Sequence, residues 1–120
     1  MSLNSKSLGN KGEAAAAEHL KKLGYEIIEQ NYRCRYGEID IIGLDKGDLA
    51  FVEVKSRTSD RYGTPFEAVN YHKQKKLRQV AAYYLQAQER YMGSCRFDVV
   101  GVLLSKNGTI HKIEIIKNAF

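Results

Sequence analysis

The chain has 120 residues, with 43% hydrophobic side chains, 19 Lys and Arg against 14 Asp and Glu, a formal net charge of +5 and a pI near 9.2. A chain of this size holds one domain, residues 1–120, burying roughly two-thirds of its unfolded surface with no metal or disulfide staple; interspersed charges and an ordinary apolar fraction exclude disorder. Apolar runs such as 99–104 fall far short of the ~20 residues that span a bilayer and no charged-then-apolar leader follows Met1, so a soluble cytoplasmic protein is expected.

Residues 8–23 are predicted as the first helix, from the Ala14–Ala17 run, with Ser7 or Asn10 as N-cap and Gly24 as the stop. Residues 25–30 follow as a strand, and 31–37, polar, basic and aromatic, as a turn region. Two strands, 38–44 and 49–55, flank Asp45-Lys46-Gly47-Asp48 and form a hairpin. A polar loop over 56–64 precedes a short helix from Pro65 to Val69, since proline suits a first helical turn. From 71 to 92, Leu77, Val80, Ala81, Tyr84 and Leu85 recur at helical spacing up to Gly93. A second hairpin, 96–104 and 110–116, turns at Lys106-Asn107-Gly108. The order α-β-β-β-α-β-β predicts an α/β fold, a mixed sheet flanked by helices.

The turn of the first hairpin sets its register. With Lys46-Gly47 as a two-residue loop, opposed residue numbers sum to 93, so that Asp40 faces Glu53 and Glu38 faces Lys55. Alternation then puts Glu38, Asp40, Glu53 and Lys55 on one face and Ile39, Ile41, Val52 and Val54 on the other, the core face. A three-residue loop would split the cluster. Opposed carboxylates repel by a few tenths to ~1 kcal/mol. Two readings answer that repulsion: a hard divalent cation such as Mg²⁺ or Mn²⁺, or a solvated charged face with an ordinary Glu38–Lys55 pair. The first has a chemistry. A cation held by Asp40 and Glu53 polarises a phosphoryl oxygen and acidifies water, while Lys55 orients that water or stabilises developing charge, which is phosphodiester hydrolysis.

Asp40, twelve residues, then Glu53-Val54-Lys55 resembles the D-x(n)-E-x-K signature of the PD-(D/E)XK nuclease superfamily, and the element order resembles its restriction-endonuclease-like core, here α-β-β-β-α-β plus a C-terminal strand. Over nearly the whole chain, Gly9-Asn10-Lys11-Gly12-Glu13, Gly37-Glu38-Ile39-Asp40, Phe51-Val52-Glu53-Val54-Lys55-Ser56-Arg57 and Arg96-Phe97-Asp98-Val99-Val100 resemble the small bacterial YraN-like family, a relative of archaeal Holliday junction resolvases. The resemblance implies a Mg²⁺- or Mn²⁺-dependent DNA endonuclease acting on branched or single-stranded DNA, with Asp40, Glu53 and Glu13 as metal ligands, Lys55 as the catalytic lysine, and a homodimer. Ile39-Asp40 replaces the Pro-Asp of the superfamily motif. Glu13 has a second reading, as the Glu of a capping-box variant begun by Asn10. Gln79 and Tyr83 match the Gln-x-x-x-Tyr pattern of RecB-type nucleases, a pattern of low information content.

Lys73, Lys75, Lys76 and Arg78 open the long helix with no acidic residue from 71 to 78. Cations there oppose the helix dipole, and a DNA-facing helix end explains the conflict; a solvated helix face is the other reading. Arg33, Arg35 and Tyr36 before the Glu38 strand, and Ser56, Arg57 and Arg61 after the Lys55 strand, are placed to reach phosphates or stack on a splayed base. Asp98 is a secondary candidate. Cys34 and Cys95 lack metal-site spacing, His19, His72 and His111 are scattered, and no nucleotide-binding glycine motif occurs. The alternative to an enzyme is a catalytically inactive nucleic-acid-binding or adaptor module on the same fold.

Overall fold

The computed structural model describes residues 2–58, 69–88 and 93–120. In these, helix α1 (Ser5–Lys22) is followed by strands β1 (Glu26–Cys34), β2 (Gly37–Asp45) and β3 (Asp48–Arg57), helix α2 (Tyr71–Ala87), and strands β4 (Cys95–Leu104) and β5 (Ile110–Ile116). The strands form one sheet in the order β1-β2-β3-β4-β5. Only the central β3–β4 pair is parallel, as a crossover through α2 requires. This is the mixed, helix-flanked sheet expected from the sequence.

Helix α1 begins earlier than expected because Asn4, not Ser7 or Asn10, is the cap: its Oδ1 accepts the Ser7 N–H at 2.8 Å. Glu13 therefore lies in mid-helix, and its capping-box reading is overturned. Strand β1 runs on past Gln30 to Cys34, because Asn31 enters the left-handed region at φ 55° and the ladder resumes at Tyr32↔Ile39, Arg33↔Glu38 and Cys34↔Gly37. The expected turn over 31–37 shrinks to Arg35 and Tyr36. Strand β3 likewise continues through Ser56 and Arg57, which pair with Val102 and Leu103 of β4, where a loop was expected. The short helix expected from Pro65 lies outside the described residues, and the long helix, expected to reach Met92, ends at Ala87, where Gln88 leaves the helical region at φ -99° and ψ 68°.

The first hairpin has the register its turn dictates. Lys46 and Gly47 take φ 51° and 87°, the two left-handed positions of a type I′ turn, and Asp45↔Asp48, Leu44↔Leu49 and Ile41↔Val52 all sum to 93. The ladder stops at Ile41↔Val52. Past that point the faces differ from expectation. Ile41 and Val52 pack with Ala16, Ala17 and Leu20 of α1, whereas Ile39 packs with Leu77, Val80 and Tyr84 of α2. With a helix on each face, both faces of the β2–β3 pair carry buried side chains, and Ile39 and Ile41 fall in different core clusters where the β2–β3 ladder has ended.

Candidate metal centre

The site lies where β2 and β3 separate. In place of a backbone acceptor, the side chain of Asp40 reaches across the gap, and its Oδ2 accepts the Val54 N–H at 2.8 Å. Helix α1 approaches the same point from the other side. A Cβ on Gly12 would stand 1.8 Å from Ser56 Oγ, so only glycine lets the helix lie this close to β3. Its neighbour Glu13 then brings a carboxylate oxygen together with oxygens of Glu38 and Asp40, all within 4.8 Å of one another and all half-buried.

Glu53 completes the acidic group from β3, only 5% exposed. Its Oε2 makes no directional hydrogen bond; Lys73 Nζ of α2 stands 3.0 Å from it and Lys55 Nζ 3.9 Å. The expected Glu38–Lys55 pair does not form, because the strands have diverged: Glu38 instead accepts from Arg33 Nε at 2.6 Å. A cleft of about 240 Å³ opens beside these groups, with Lys73 and Lys76 on its far wall and Leu77 and Val80 at its base.

Burial raises the Asp40 carboxyl most, joined by its hydrogen bond to Glu53 and the charges of Glu53 and Glu13; the Val54 N–H opposes them, and the result is a pKa near 9. Burial pushes Glu53 up as well, but the proton donated by Asp40 and the ammonium groups of Lys73 and Lys55 outweigh it and hold Glu53 below the usual carboxylate range. Lys73 is disfavoured as a cation by burial, yet Glu53, Asp40 and Glu38 hold its pKa above the ordinary lysine value. Thus four acids meet in one place, and burial together with the neighbouring carboxylates pushes Asp40 up while the lysines hold Glu53 down. A largely buried set of oxygen-only donors, with Glu13, Glu38 and Asp40 oxygens within 4.8 Å of one another, fits a hard divalent cation.

The other expected positions divide. Lys73 and Lys76 face the cleft. Lys75, at 100° per residue, is turned about 160° from Lys73 and about 100° from Lys76, and is exposed. Arg78 lies over Phe97 and Phe120, 5.2 and 5.6 Å from the ring centroids. Ser56 packs under Gly12, and Arg57 forms an ion pair with Glu114 at 3.7 Å. Both line a separate cavity of about 230 Å³ beside Leu8 and Gly9 rather than the acidic cleft. Arg33 sits at the rim on Glu38, Arg35 lies over the Tyr36 ring at 4.9 Å, and Arg61 falls outside the described residues.

Two features were missed. Glu38 joins Glu13 and Asp40, for which strand alternation gave a signal, since residues 38 and 40 share a nominal face. Lys73 is a counter-ion of Glu53, for which the sequence gave none beyond its charge. Asp98, in contrast, serves the fold: fully buried, it accepts from Tyr25 Oη at 2.8 Å, Arg96 Nε at 3.0 Å and the Asn118 N–H at 2.9 Å.

Residues 12–102 match the uncharacterised protein family UPF0102. A UPF0102 protein of Desulforamulus reducens is 50% identical over 99% of both chains, and one of Caldicellulosiruptor saccharolyticus is 46% identical over 98% of this chain and all of its own. Among solved structures, a repair endonuclease from Pyrococcus abyssi superposes with a TM-score of 0.50 at 18% identity, over 88% of this chain and 41% of that one. The shared architecture is the restriction-endonuclease-like fold, and the chain spans well under half of that larger enzyme. Among the described residues no helix is long and apolar enough to cross a membrane.

Proposed function

This chain belongs to UPF0102, the YraN-like family, and from that premise we propose that it is a divalent-cation-dependent endonuclease hydrolysing phosphodiester bonds of branched, Holliday-junction-like, or single-stranded DNA. The observation that carries the reading is the meeting of Glu13, Glu38 and Asp40 oxygens within 4.8 Å, beside Glu53 and Lys55 at the fork of two strands. Glu13, Asp40 and Glu53, joined by Glu38, would hold Mg²⁺ or Mn²⁺. When bound, such an ion polarises a phosphoryl oxygen and acidifies water. The chain supplies the rest. Lys55 orients the attacking water and stabilises charge on the phosphate oxygens; Lys73 and Lys76 draw the phosphate into the cleft; Asp40, tied to Val54, keeps its carboxylate at the mouth of the fork.

The test is incubation of the protein with labelled branched, flapped, single-stranded and duplex DNA in Mg²⁺ or Mn²⁺. Cleavage that Asp40→Ala and Lys55→Ala abolish supports the reading; no cleavage of any substrate, or variants as active as the parent, rejects it. One observation favours the inactive binding module instead: Lys73 and Lys55 already flank Glu53. That module binds DNA without metal, and its binding survives Glu53→Gln. Calorimetric titration with Mn²⁺ separates the two, since binding lost in Asp40→Ala belongs to the nuclease.

A further inference from the structure

A second cavity, about 570 Å³ against about 240 Å³ for the acidic cleft, lies beside it. One wall is the β1–β2 turn at Arg35 and Tyr36; the other is α2 at Gln79, Tyr83 and Gln86, with Ala82 and Ala87 leaving room between the larger side chains. The two cavities share both walls. Along the turn, Arg35 and Tyr36 line one and Gly37 and Glu38 the other; along α2, Lys76 and Val80 line the acidic cleft and Gln79 and Tyr83 its neighbour. The ridge between them is a close contact, since a Cβ on Gly37 would lie 3.4 Å from Val80 Cγ2. From Lys76 to Tyr83 the helix rises only about 10 Å.

The lining is chemically unlike the cleft. Among the described residues no carboxylate lines this cavity. Tyr36 and Tyr83 are 38% and 40% exposed, with ring centroids 6.0 Å apart in an edge arrangement, so that neither ring covers the face of the other. The guanidinium of Arg35 lies over the Tyr36 ring and donates to its Oη at 2.8 Å, placing a positive charge at the rim. The Gln79 and Gln86 amides, each both donor and acceptor, make no side-chain hydrogen bond among the described residues. Aromatic faces for stacking, amides for base edges and a cation for phosphate are the equipment of a single-stranded nucleic-acid subsite.

We propose that this cavity receives an unpaired nucleobase of the DNA strand whose phosphate lies in the acidic cleft, stacked on Tyr83 with Tyr36 packed against its edge. The substrate class is thereby DNA with an unpaired nucleotide next to the reacting phosphate. This inference rests on the cleft being the phosphate site. A paired base, held in its stack, cannot present its face to Tyr83.

The test is fluorescence anisotropy with two labelled oligomers of equal length and charge, oligothymidylate and an abasic oligomer, at fixed salt with Ca²⁺. Wild type is expected to bind oligothymidylate about 5- to 100-fold more tightly, Tyr83→Ala and Tyr36→Ala to lose that preference, and Tyr83→Phe to keep it. Equal binding of the two oligomers by wild type overturns the proposal, as does a preference unchanged in Tyr83→Ala and Tyr36→Ala. Melting curves of the variants confirm that the fold is retained. Cleavage of the same oligomers in Mn²⁺ is scored separately. Base preference without cleavage rejects catalysis and leaves the pocket standing; cleavage without preference rejects the pocket and leaves catalysis standing. Binding of neither oligomer rejects both.

Discussion

The two ends of the β2–β3 hairpin both gather acidic side chains, and they treat them in opposite ways. At the turn, Arg96 reaches Asp45 at 2.7 Å, Asp48 at 3.0 Å and Asp98 at 3.0 Å, and Lys117 adds a second cation to Asp45 at 3.0 Å. Tyr25 and Arg96 also bond each other, so the donors and acceptors around Asp98 are matched. At the fork, Glu13, Glu38, Asp40 and Glu53 share Arg33, Lys55 and Lys73, and Asp40 retains a proton at neutral pH. At the turn each carboxylate is paired with a guanidinium or an ammonium; at the fork Glu13 and Asp40 have no ion pair among the described residues. Burial of acids alone therefore does not mark a site. What marks it is burial without matching donors.

Substitutions at the two ends should separate along that line. The largest effect is expected on chemistry: Asp40→Ala, Glu53→Ala or Lys55→Ala each lowers cleavage at least about 100-fold in single-turnover assays, while circular dichroism shows the parent fold. Next is Arg96→Met, which strands the buried charges of Asp45 and Asp98 and costs about 3–5 kcal/mol in urea unfolding, with cleavage retained below the melting point. If Arg96→Met abolishes cleavage while its stability is unchanged, the division between the two ends is wrong.

A third expectation reverses the usual sign. The folded Asp40 carboxyl holds its proton to about pH 9, far above its unfolded range. The native state therefore binds more protons than the unfolded one, and stability falls as pH rises from about 4 toward 9. Asp40→Asn keeps an acceptor for the Val54 N–H and removes that penalty. Its melting temperature should exceed the wild type's by several degrees at pH 8 and converge with it near pH 4, since ~1 kcal/mol moves a domain of this size by about 3–6 °C. Asp45 has the opposite sign and the smallest effect. Hydrogen bonds from Arg96 and Lys117 hold its carboxyl below the usual range, so its contribution is complete above about pH 4 and is lost as pH falls through its folded pKa. The stability gap between wild type and Asp45→Asn, read by thermal melts, should narrow between pH 5 and 2.

How far the sequence reached follows the range of the forces involved. The type I′ turn at Lys46-Gly47 is local chemistry, so it yielded the sum of 93 and the pairing down to Ile41↔Val52. The divergence beyond is caused by what packs on the strands, α1 through Gly12 and α2 through Val80 and Leu77, and no dipeptide encodes that. For the same reason the expected Glu38–Lys55 pair does not form, and the ion pair of Lys73 with Glu53 at 3.0 Å had no signal in the sequence. The end of β1 was hidden by Asn31, a turn former that the tertiary fold holds inside a strand. The Arg96 network was not legible at all, because its members come from residues 25, 45, 48, 96, 98 and 117.

The bond from Val54 to Asp40 has a spectroscopic consequence. A backbone amide that would ordinarily report on a sheet ladder here reports on one carboxylate, 2.8 Å away. Its nitrogen and proton resonances should move as Asp40 loses its proton or meets a cation, while those of Val52, held by Ile41 across the regular ladder, stay in place. One pair of cross-peaks, two residues apart, thus serves as an internal gauge of the site and its own reference.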